Sequence, residues 1–151
     1  MRSKVGFWLG IAFGGCVAVA AFAEERDLRW TFNGTPAEGY AITLESASPA
    51  PGTPLTSGAS VEFEFEVAYT LTIAKKGVVV LVLQDDQNRN AAPDQPQQIT
   101  PVEGESGKLS LKQKIVVPAG AEELRIFIPL APDGIAETSG EIVLRYPITS
   151  K

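Results

Sequence analysis

The chain has 151 residues, 44% of them hydrophobic, with 13 basic and 18 acidic side chains, no histidine and one cysteine, Cys16. An acidic balance of −5, with no basic cluster denser than Lys108, Lys112 and Lys114, argues against nucleic acid and anionic lipid surfaces as partners. Without histidine there is no Ser-His-Asp or Cys-His nucleophile system and no histidine metal site, and a lone cysteine gives no basis for zinc or iron–sulfur ligation.

At the N-terminus, Arg2 and Lys4 precede an apolar run that closes on Ala21-Phe22-Ala23, and the next charges are Glu24 and Glu25. A positive head, an apolar middle and small residues at Ala21 and Ala23 make the three parts of a secretory signal peptide, residues 1–23, cleaved after Ala23. Two other readings stand beside it. One is an uncleaved anchor, since a span needs roughly 20 apolar residues. The other is a lipoprotein box at Phe13-Gly14-Gly15-Cys16, which has Phe where Leu is usual and stays apolar beyond Cys16. Cleavage leaves residues 24–151 in the periplasm or outside the cell, a length suited to one domain. That mature chain has no cysteine, so its fold rests on packing and not on disulfides.

Next comes an N-terminal arm, 24–45, with short strands expected at 28–32 and 40–44. The segment 46–58, rich in Pro and Ser, is expected to be a connector too poor in apolar residues to pack. The main body, 59–151, opens on the strongest structural signal in the chain. Every odd position from Val61 to Ile73 is apolar, and the even ones include Glu62, Glu64 and Glu66. Such period-two alternation predicts a strand with one buried and one wet face. After Lys75-Lys76-Gly77, the unbroken apolar run 78–83 predicts a central strand with apolar contacts on both faces. Alternation returns at 108–117, where Leu109, Leu111, Ile115 and Val117 oppose Lys108, Ser110, Lys112 and Lys114. It returns again through Leu124, Ile126, Ile128 and Leu130, and through Ile142, Leu144, Tyr146 and Ile148. Turn chemistry separates these runs, and no window shows an apolar stripe at helical spacing after the N-terminal run.

Several strands separated by turns predict an all-β sandwich or small barrel. The order of the elements at 61–73, 78–84, 108–117, 123–130 and 141–148 resembles bacterial immunoglobulin-like and fibronectin type III-like domains, over residues 40–148. The resemblance implies an immunoglobulin-like β-sandwich of about seven strands, without the Cys-Trp-Cys signature of antibody domains. It also implies that 61–73 lies beside 108–117, with Glu62, Glu64 and Glu66 opposite Lys108, Lys112 and Lys114.

Two candidate sites follow. Asp86, Asn88 and Asn90 have the spacing of oxygen ligands for a hard cation, and Asp85 and Asp94 could complete an irregular calcium site. Against this, Ala91 and Gln97 stand where the EF-hand pattern requires Gly and Glu, and Asx residues are ordinary turn formers. Calcium is the only cofactor for which the sequence offers ligands. The second site is a surface. If Leu124 to Leu130 face the core, Phe127 points outward, as does Val143 beside Arg145, and an exposed apolar patch of that kind marks an interface. The alternative is that the arm folds over this patch, with Trp30 and Phe32 as cover. Trp30 alone is a poor stacking platform for sugars. The carboxylates Glu62, Glu64 and Glu66 form a ladder on one strand face, unlike the pair across a cleft that glycoside hydrolysis needs. The expected function is therefore non-enzymatic: an exported sandwich acting by contact with a protein partner. A carbohydrate- or calcium-dependent binding module and a carboxylate-based hydrolase are the alternatives.

Overall fold

Every second residue of Ser60–Leu71 is apolar, and this stretch forms a strand whose Phe63, Phe65 and Val67 have no exposed surface. The computed structural model describes residues 30–33, as backbone only, together with 39–135 and 141–150. The expected signal peptide, with Cys16, lies outside the described residues. Among those described there is no helix, and none long and apolar enough to cross a membrane. The described residues form nine strands: β1 (Trp30–Asn33), β2 (Tyr40–Ser48), β3 (Leu55–Thr56), β4 (Ser60–Leu71), β5 (Lys76–Asp85), β6 (Gln98–Glu103), β7 (Ser106–Val116), β8 (Glu123–Pro132) and β9 (Glu141–Thr149).

These strands make a two-sheet all-β fold. The smaller sheet has the order β2-β4-β7, and the larger runs β1-β9-β8-β5-β6, with β3 also paired to β9. The core between them is filled by the inward face of each strand. The Phe63 ring meets Tyr146 edge-on, with centroids 5.1 Å apart. Tyr146 is fully buried, and its hydroxyl donates to the Pro49 carbonyl at 2.9 Å. Burial pushes its phenol well above the usual range.

Register reproduces two rungs of the expected charge ladder, while Glu66 lies opposite Ser110. Glu62 lies opposite Lys114 and Glu64 opposite Lys112, whose Nζ donates to Glu64 Oε1 at 2.6 Å. Lys108 stands opposite Ala68 and pairs instead with Glu45, at 2.7 Å. The same ladder sets Tyr69 opposite Gly107, where a Cβ would come within 2.6 Å of the tyrosine oxygen. Glycine is what lets that ring lie flat and its hydroxyl donate to Glu103 O at 2.8 Å.

Several boundaries differ from expectation. The buried face of β4 stops at Leu71, because the chain then turns: Thr72 N donates to Gly39 O at 2.6 Å, and Ile73 is left 48% exposed. β2 runs to Ser48, past the expected end of the arm at 45, and pairs along β4. The Pro-rich connector is packed after all. Leu55 is 3% exposed, and Leu55–Thr56 adds to β9 in parallel. β1 lies along the edge of β9 in the register Trp30↔Leu144 and Phe32↔Ile142, so its backbone extends the sheet and does not cross its outer face.

Candidate functional site

Inward residues of the larger sheet are mostly aliphatic, with Tyr146 the large aromatic among them, as suits a sandwich core. Its outward residues need not be, yet most are. Along β5 the successive outward rows begin with Lys76 opposite Glu103, an ion pair at 3.2 Å. Three apolar rows follow. Val78 faces Pro101 on one side and Ala131 on the other, Val80 faces Ile99, and Val82 aligns with Phe127 and then Val143. A charged row closes the strip, with Gln84 beside Arg125 and Arg145. There Glu123 Oε1 accepts from Arg125 Nε at 2.7 Å and from Arg145 Nη1 at 2.9 Å. An apolar centre is thus bounded by ion pairs at both ends.

Burial corrects the membership of this surface. Val143 is 1% exposed and is not a surface residue. With β1 beside it, β9 is an interior strand at that point, so Val143 has a neighbouring strand on each side. Phe127 is half-buried between the registers of Val82 and Val143. Arg145 is partly exposed but belongs to the ionic rim. The accessible part of the strip lies instead on Val78, Val80, Val82 and above all Ile99, which is 57% exposed. The sequence reading passed over Ile99 because β6 is short and carries Pro101. Its signal was the presence of Ile99, Thr100 and Val102, all strand formers, beside that proline.

The loop after β5 is built around Asp85, the buried charged residue of the described core at 3% exposure. Its Oδ1 accepts from the N–H groups of Gln87 and Arg89, both at 2.9 Å, and its Oδ2 accepts from Arg89 Nε at 2.6 Å. Desolvation opposes its ionisation. The hydrogen bonds from Arg89 and Gln87 outweigh that and hold the carboxyl below the usual Asp range. Asn88 takes a left-handed backbone, φ 60°, which Asn tolerates well in turns. Asn90 Oδ1 accepts from Ala92 N at 2.9 Å, and Asp86 Oδ1 from Glu122 N at 3.4 Å. Asp94 is exposed. The side-chain oxygens of Asp85 and Asn90 therefore brace the loop itself, and a guanidinium sits on the Asp85 carboxylate where a cation would have to be. Among the described residues no three acidic, histidine or cysteine side chains converge as a metal-holding group. Glu62, Glu64 and Glu66 remain a solvated ladder on β4.

The sequence matches no protein-family model, and no curated protein matches it. Among solved structures it is similar to a family 123 glycoside hydrolase from Clostridium perfringens, with TM-score 0.40 and 8% identity over 75% of this chain and 27% of that one. It is also similar to a Niemann-Pick type C2 protein from Japanese carpenter ant, with TM-score 0.40 and 12% identity over 79% of this chain and 99% of that one. Neither likeness assigns an activity to this chain.

Proposed function

We propose that this protein is an exported, non-catalytic β-sandwich of immunoglobulin-like strand order that acts by binding another protein through the outer face of β5, β6 and β8. The strand order supports the fold part of that reading. β2-β4-β7 facing β9-β8-β5-β6 corresponds to strands A-B-E and G-F-C-C′ of immunoglobulin-like domains. Export rests on the N-terminal pattern of Arg2, Lys4, the apolar run and Ala21-Phe22-Ala23.

The observation that carries the contact reading is the apolar strip of exposed Ile99 and partly exposed Val78, Val80 and Val82 between two ionic rims. Three strands by three rows, at strand and residue spacings of about 4.8 and 6.8 Å, cover roughly 300 Å². Patches of that size on a monomer are often functional. The partner should present a complementary apolar surface with a polar margin.

The test is affinity capture from an envelope extract, using the full chain expressed and recovered after export. Ile99→Asp should abolish capture and leave the melting temperature in place. Glu64→Gln, on the outer face of the other sheet, should capture normally. Equal capture by all three proteins would overturn the assignment of this face.

A further inference from the structure

β6 pairs with β5 only as far as Leu81↔Gln98, and pairing on that edge resumes at Gln84↔Asn90. Between those points the chain from 92 to 97 bows away from β5 and is tied to the opposite sheet. Gln95 Nε2 donates to Lys114 O at 2.7 Å, and Gln113 Nε2 donates to Gln95 Oε1. The space left between is a half-open cleft of about 240 Å³. Its polar lining is made entirely of carboxamides: Gln84, Asn90, Gln95, Gln97, Gln98 and Gln113. The apolar floor comes from Leu81, Leu83 and Ala92, and none of the residues around the cleft is charged or aromatic.

One of these amides is unsatisfied. Gln98 Oε1 has no accessible surface and accepts no hydrogen bond. A buried acceptor without a donor is unfavourable, and native structures keep few of them. The last torsion of glutamine is broad, so the amide can turn its oxygen toward a donor arriving in the cleft.

From this we infer that the cleft binds a short, uncharged, extended peptide segment by its main chain. A carboxamide offers a donor and an acceptor side by side, the same pair a peptide group presents. With no charge in the lining, a charged ligand would be desolvated without compensation. With no ring in the lining, a sugar would have no face to stack on. The volume equals roughly eight waters at about 30 Å³ each, enough for a brief run of small residues. This site adjoins the apolar strip and shares Val82 and Gln84 with it, but it rests on the amides of the cleft and not on the strip.

The test is an NMR titration of the ¹⁵N-labelled full chain, recovered after export, which displays glutamine side-chain amides directly. The probes are acetyl-Ala-Ala-Ala-amide and methyl glucoside. The peptide should move the Gln95, Gln98 and Gln113 side-chain signals saturably. Gln98→Leu should weaken that binding at least tenfold while the melting temperature holds or rises, because the unpaired acceptor is gone. Gln113→Leu, which removes one of the two hydrogen bonds that hold Gln95, should weaken it as well. No movement at millimolar peptide, equal binding by the Gln98→Leu protein, or movement with the glucoside alone would each overturn the proposal.

Discussion

The two sheets share one core but turn opposite kinds of surface to water. On β4 and β7 the outward positions are glutamates and lysines set across from one another, as in Glu64 with Lys112. On β5, β6 and β8 they are valines, Ile99 and Phe127. The inward faces are equally apolar, so folding does not demand the difference. The smaller sheet is finished as a solvent surface, with lysines that also discourage pairing at the free edge of β7. The larger sheet leaves part of its outward apolar area uncovered among the described residues, and such area is informative about binding.

The comparison breaks most completely where both sheets depend on the same side chain. Phe63→Ala should cost about 3–5 kcal/mol and unfold the two faces together in a single denaturant transition. Two separate transitions would mean the sheets are not one cooperative unit. Gly107→Val strikes the smaller sheet first, driving a side chain into the Tyr69 ring and disturbing its hydroxyl's bond to Glu103 O on β6, and should cost about 1–3 kcal/mol by the same assay. A neutral result would show that Tyr69 has an alternative position.

Asp85→Asn tests the end of the larger sheet. Because the folded carboxyl is held below its ordinary value, its contribution is present above the unfolded pKa of 3.8. It disappears as pH falls through the depressed folded value. The variant should therefore melt lower than the parent at pH 7, and the gap should close in acid; a gap independent of pH would make the role of Asp85 steric. Glu64→Lys should lower the melting temperature slightly, by an amount that shrinks in high salt, since Lys112 owes its raised pKa first to the Glu64 hydrogen bond. Ile99→Asp should be the mildest of all, within about 0.5 kcal/mol of the parent, as befits a surface site. A large loss there would place Ile99 in a packed environment and remove it from any interface.

Much of this contrast was legible in the chain itself. Period-two alternation at 61–73 and 108–117 gave two strands of the smaller sheet, and the resemblance to immunoglobulin-like domains implied that they lie side by side. The six-residue apolar run beginning at Val78 marked β5 as apolar on both faces. What escaped reading depends on distant partners. Leu55 is buried only because Ile148 is its neighbour, ninety residues on in an unrelated local context. Val143 is buried although strand alternation turns it outward, and no local pattern reports that. Asp85 looked like a loop ligand because Asp, Asn and Asn at alternate positions serve turns and cations equally well. Only the direction of its hydrogen bonds separates the two. The carboxamide cleft was hidden for the same reason, since Gln113 lies on another sheet from Gln95 and Gln98.

β9 is the last strand of the described chain and borders β8, β1 and β3. Its Tyr146 answers Pro49 across a sequence separation of 97 residues. During synthesis at 5–20 residues per second, the early strands must therefore wait about 5–20 s for the partner that completes them. Until Glu141–Thr149 has emerged, the larger sheet has no closing strand and the chain stays open. A polypeptide built in that order cannot complete its larger sheet until β9 has been delivered.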